Sequence, residues 1–183
     1  MNKSNFDDYG HFDLERNCFR LTEEPPRKWW NLHCTAINNE GPEMYAEVAH
    51  INDGPTWVRD ADGTTVRLCS YDQKYQYIRD DETNTVFCPA GMPAPTNVTH
   101  REVEFYREKT LMRSECDGLS VEQRVFVPQH HPLECTTITL KNNTDRERKI
   151  SVFSYVMFDL TGADSEGNGI WKTNFTEIHP DLG

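Results

Sequence analysis

The chain has 183 residues, with 30 acidic and 19 basic side chains giving a formal charge of −11. That length suffices for one domain of ordinary size, and a field of that sign disfavours nucleic acid and anionic membrane surfaces as partners. Hydrophobic content is 36% and mean hydropathy −0.77, low for a domain that closes its own core, so more chain or a partner is expected to complete it.

Sustained helical periodicity is nearly absent, and strand signals recur between turn clusters. The first is "HFDLERNCFRLT" (11–22), which reads as one strand ended by Pro25-Pro26. "KWWNLHCTAIN" (28–38) follows. Residues 44–50, "MYAEVAH", read as a turn or two of helix. Residues 53–70 read as a hairpin closed by Asp62-Gly63, because Asp-Gly supplies the positive φ angles of a tight turn. Residues 75–89 repeat that design around Asp80-Asp81-Glu82. The segment 89–97, with three prolines, is a connector.

Beyond it Val103 and Phe105 alternate with charged neighbours. Leu119, Val121, Val125 and Val127 then fall on one parity, with Asp117-Gly118 as the intervening turn. Two further strands lie at 133–140 and 149–160. The latter is apolar on both parities, with Ile150, Val152, Val156 and Phe158 on one and Phe153, Tyr155 and Met157 on the other. Only a strand covered on both faces holds both sets. Arg146 to Lys149 read as a solvated hairpin tip. One turn signal every ~10 residues is the pattern of an all-β sandwich.

The N-terminus has no apolar core of signal-peptide type and no run approaches a membrane span, so the chain reads as cytoplasmic. The six cysteines, at 18, 34, 69, 88, 116 and 135, show no CxxC pair and no zinc spacing, and read as thiols. Neither metal nor cofactor is expected. His130-His131 invite an acid–base reading, but lie between Pro128 and Pro132 in what reads as a polar loop. Asp80-Asp81 read as turn residues. Trp29 and Trp57 read as core or interface, while Trp171 stays open between sugar stacking and structure.

Three stretches in order carry a family resemblance: "GHFDLERNCFRLTEEPPRKWWNLH", "YQYIRDDETNTVFCP" and "DGLSVEQRVFVPQHHPLECTTITLKNNTDRERKISVFSYVMF". Over residues 10–175 the chain resembles the inverting disaccharide phosphorylases of glycoside hydrolase family 94, typified by cellobiose and chitobiose phosphorylase. The resemblance implies an antiparallel β-supersandwich of galactose mutarotase type, incomplete at this length, with residues 1–183 as a single N-terminal domain. It also implies that the catalytic acid lies on an (α/α)6 barrel absent from this chain. The chain is then a non-catalytic scaffold, dimer contact and lip of a sugar site. Its implied partners are the barrel, a second copy, and a β-glucoside-type sugar with phosphate. The loop implied to reach the sugar is "NGIWKTNF", with Trp171, Lys172 and Thr173; Thr173 stands where the family pattern has Arg. A free-standing carbohydrate-binding module and a mutarotase-like epimerase are the alternatives.

Overall fold

The computed structural model describes residues 6–35, 42–94, 97–163 and 169–171. The first strands are β1 (Gly10–Asp13), β2 (Cys18–Leu21), β3 (Trp30–Cys34), β4 (Glu43–Ala49) and β5 (Thr56–Arg59). Next come β6 (Thr65–Cys69), β7 (Lys74–Asp80), β8 (Val86–Phe87), β9 (Val98–Phe105) and β10 (Thr110–Cys116). The last are β11 (Leu119–Phe126), β12 (Cys135–Asn142), β13 (Ile150–Val156), β14 (Thr161–Ala163) and β15 (Gly169–Trp171). Among the described residues every strand pairing is antiparallel. Three sheets result, ordered β1-β2-β9-β10-β11-β12, β15-β14-β6-β5-β4-β3, and β13-β7-β8.

Local chemistry explains where strands begin and end. The stretch 11–22 is two strands, not one. Asp13 Oδ1 accepts from the backbone N–H groups of Glu15 (3.1 Å) and Arg16 (3.0 Å). Asn17 then takes φ +55°, and the chain reverses. The expected Asp117-Gly118 turn has φ +48° and +78°, positive at both central residues as a type I′ hairpin requires. Residues 44–50 are strand rather than helix. Met44, Ala46 and Val48 are buried while Tyr45 and Glu47 are half-buried. This two-residue period faces the core from the interior of the second sheet.

The first sheet packs against the other two. Phe19, Leu21, Val103, Met112 and Val125 meet Val48 of β4 in one cluster. Cys116, Leu119 and Val121 meet Ile78 and Phe87 of the third sheet in another. Burial of such side chains, at about 25 cal/mol per Å² of apolar surface, is the main term holding the layers together.

The two runs at 133–140 and 149–160 do not pair with each other. β12 pairs with β11, Val121 opposite Leu140, whereas β13 pairs with β7, Val152 opposite Ile78. The polar link between them crosses from one layer to the other. Arg148 is therefore not part of a solvated tip: its side chain is 3% exposed and paired with Asp80. Nor is β13 covered on both faces. Val152 is 46%, Phe153 47%, Tyr155 42% and Val156 43% exposed. β13 has one neighbouring strand, β7, and its other edge is open among the described residues.

Candidate functional site

β12 ends the first sheet and β13 ends the third. Residues of both line a cleft of about 600 Å³, a volume typical of binding pockets. Its walls are apolar: Ile138 from β12, Val152 and Val156 from β13, Met44 from β4 and Leu68 from β6.

Polar groups gather at one place in this lining. Lys74 opens β7, and its Nζ donates to Glu134 Oε1 (2.7 Å) and Oε2 (2.9 Å), to Thr56 Oγ1 (3.1 Å) and to the Glu47 carbonyl (3.4 Å). The Thr56 hydroxyl donates in turn to Glu134. The Lys74 side chain is 7% exposed and that of Glu134 15%. Taking two charges out of water is costly, and dense hydrogen bonding offsets it here. An ammonium has three hydrogens, and all are engaged. This network fixes the pair in place, and the pair organises the cleft. Asn52 also lines the cleft, in the left-handed region at φ +57°. It is 3% exposed and its Oδ1 has no partner.

A second polar group joins β9 to the entry of β3. The Trp29 N–H donates to His50 Nδ1 (3.2 Å), which leaves the ring proton on Nε2 facing Glu24 Oε1 at 2.9 Å. Arg101 holds the other Glu24 oxygen at 2.5 Å. Burial pushes the His50 imidazole below its ordinary range, against the opposing pull of Glu24. His33, between sheets beside Thr110 at 2.9 Å, is also lowered by burial.

The residues singled out in the sequence fall elsewhere. His130 and His131 are exposed in the loop before β12. Asp80 is the buried last residue of β7 rather than a turn residue, and only Asp81 lies in the turn that follows. Asp80 Oδ1 caps the N–H groups of Glu82 and Thr83, and Oδ2 takes Arg148. Arg148 first, then those N–H groups, hold its carboxyl below the usual range. Trp29 packs on the core cluster of Phe19 and Val103, and Arg67 stacks over Trp57 at 5.4 Å. Trp171 ends β15 opposite Thr161 of β14, whereas Lys172 and Thr173 lie outside the described residues. Among the described residues no group of three His, Cys, Asp or Glu side chains could hold a metal ion, and no helix is long and apolar enough to cross a membrane. Sequence reasoning missed Lys74, Glu134 and Asn52. Sixty positions separate Lys74 from Glu134, and no local pattern marks a pair so far apart.

Comparison with known proteins places this geometry in context. The profile described as "Glycosyl hydrolase 94, supersandwich domain" matches residues 25–179. N,N'-diacetylchitobiose phosphorylase of Vibrio furnissii is 26% identical over 171 residues, covering 86% of this chain and 20% of that protein. Solabiose phosphorylase of Paenibacillus borealis is 35% identical over 89 residues, covering 49% of this chain and 12% of that protein. Cellobionic acid phosphorylase of Neurospora crassa is 34% identical over 84 residues, 45% of this chain and 10% of that protein. The chain thus spans a fifth or less of the length of these relatives.

Proposed function

Because the chain belongs to the glycosyl hydrolase 94 supersandwich family, we propose that it is the non-catalytic N-terminal β-sandwich domain of a cellobiose-phosphorylase-like enzyme. The whole protein would phosphorolyse a β-linked disaccharide or oligosaccharide reversibly, with inversion, in the cytoplasm. An acid on an (α/α)6 barrel would protonate the glycosidic oxygen while phosphate attacks the anomeric carbon from the opposite face. This chain would serve as scaffold, as a homodimer contact, and through Trp171, Lys172 and Thr173 as a lip of the sugar site.

One observation carries this reading: β13 is apolar on both faces, exposed on both, and open at one edge. A surface of that kind marks an interface. The apolar cleft beside it, whose one ion pair is already saturated, suits side chains of further polypeptide better than a hydroxyl-rich sugar. Incubated with cellobiose or N,N'-diacetylchitobiose and inorganic phosphate, the 183-residue chain releases no sugar 1-phosphate; turnover would overturn the non-catalytic role. A polypeptide carrying this chain ahead of a helical barrel releases sugar 1-phosphate of inverted configuration. Failure to phosphorolyse any β-linked disaccharide would overturn the enzyme assignment.

A further inference from the structure

Asp53 has no solvent exposure, yet it carries a carboxylate between three separate segments. Its Oδ2 accepts from Lys28 Nζ. Its Oδ1 accepts from the backbone N–H of Asp72 at 2.5 Å. Its backbone carbonyl accepts from Ala49 N–H at 2.7 Å. A charge so deeply buried is costly, and it persists only where its partners are fixed. Asp53 therefore locks the strand entering β3 against the turn joining β6 to β7.

The outward side of that knot is a corner of aromatic rings. Trp30 and Tyr71 meet edge to face, with centroids 5.5 Å apart and planes at 71°. They are 37% and 50% exposed. Gly54, the residue after Asp53, has φ +139°, and a Cβ there would stand 2.9 Å from Trp30 Cζ3 and 2.2 Å from the Glu47 carbonyl oxygen. Glycine is thus required both by its backbone and by the indole seated against it. Charged groups rim the rings. Lys28 Nζ lies 5.9 Å from the Trp30 centroid and donates to Asp72 Oδ1 at 3.2 Å. Tyr75 OH donates to the same oxygen at 2.9 Å. Tyr75 first, then Lys28, hold the Asp72 carboxyl below its ordinary range, so it stands ionised as an acceptor.

We propose that the Trp30–Tyr71 corner, with Lys28 and Asp72 at its rim, is a saccharide-binding platform for a β-linked gluco-oligosaccharide. A pyranose presents a C–H face to an aromatic ring and a belt of hydroxyls at its edge. Pre-set rings offer contact area at little entropic cost, Asp72 accepts from hydroxyls, and Lys28 donates to them. Two rings rimmed by charge fall far short of the ~800 Å² per partner of a standard protein interface. The choice of a gluco-oligosaccharide rests on the phosphorylase reading above.

The test is saturation-transfer NMR of cellotetraose on the 183-residue chain, with thermal melting of each variant. We expect saturable transfer in the parent chain. Trp30→Ala and Tyr71→Ala weaken binding by about tenfold or more, and Asp72→Asn weakens it less. Tyr71→Ala, at an exposed ring, leaves the melting temperature within about 2 °C, so it serves even if Trp30→Ala fails to fold. No saturable transfer, or equal affinity in Tyr71→Ala, overturns the platform. Self-association of the chain is measured in the same samples and reports on the domain reading alone. Absent sugar binding with self-association intact therefore refutes only the platform.

Discussion

Arg148 Nη2 lies 2.5 Å from Asp80 Oδ2, with Nε 3.0 Å from the same oxygen, and both side chains are buried. This fork clamps the segment leading into β13 onto the end of β7. Arg148 also donates to the Asp117 carbonyl at 2.6 Å, so one guanidinium ties the first sheet to the third. Removing it leaves a buried carboxylate unpaired. We expect Arg148→Ala to lower the melting temperature by about 6–12 °C and to speed amide exchange in β13 more than in β10. Unchanged exchange in β13 would show that the clamp is dispensable.

The saturated ion pair in the cleft makes a different forecast. Lys74→Met strands Glu134 and should cost about 3 kcal/mol in urea unfolding. Adding Glu134→Leu should recover most of that loss, because an apolar pair of similar volume removes the stranded charge. A double variant no better than Lys74→Met would mean that the pair has no such coupling.

Stability should fall in two steps on acidification. The His33 and His50 imidazoles are pushed down by burial from the ordinary value of 6.5. The unfolded chain therefore binds more protons, and the stability held above pH 6.5 declines as pH falls through the folded values. Glu104 acts lower. Burial pushes its carboxyl up, but hydrogen bonds from Arg113, Arg16 and Tyr106 outweigh this and hold it below the ordinary 4.5. Its contribution is intact above pH 4.5 and lost below. Melting temperatures between pH 7.5 and 3.5 test both steps, and His50→Gln should blunt the first. A melting temperature flat from pH 7.5 to 5.5 would contradict it.

Asn52 offers a probe of what fills the cleft. Its left-handed backbone suits glycine, and its side-chain Oδ1 is buried without a donor. Asn52→Gly should leave the 183-residue chain as stable as before, or up to about 1 kcal/mol more stable, by removing an unsatisfied acceptor. A loss of about 2 kcal/mol or more would mean that Asn52 is already satisfied in this chain.

Much of this fold was legible where the chemistry is local. Asp117-Gly118 was readable as a turn because positive φ at both residues is written in the residue type; at Asp62-Gly63 the turn forms with only Gly63 at positive φ. β11 was readable because its apolar residues keep one parity. Residues 44–50 misled because alternation with half-buried Tyr45 and Glu47 looks helical over so short a run. Two-sided apolarity in 149–160 correctly marked an unusual strand, but neither its partner nor its cover could be read. β13 pairs with β7 across some seventy positions, a choice made by tertiary packing. The Trp30–Tyr71 corner was equally hidden, since Asp53 joins residues from three distant segments.

The central claim is that the exposed faces of β13 and the cleft beside it are covered by further polypeptide in the whole protein. Sedimentation velocity of the 183-residue chain across a concentration series, with binding of a hydrophobic dye, tests it most directly. Uncovered faces predict concentration-dependent association and strong dye fluorescence, both reduced when Phe153 and Tyr155 are replaced by Lys on one face of β13. A monodisperse monomer that melts cooperatively and binds no dye would contradict it.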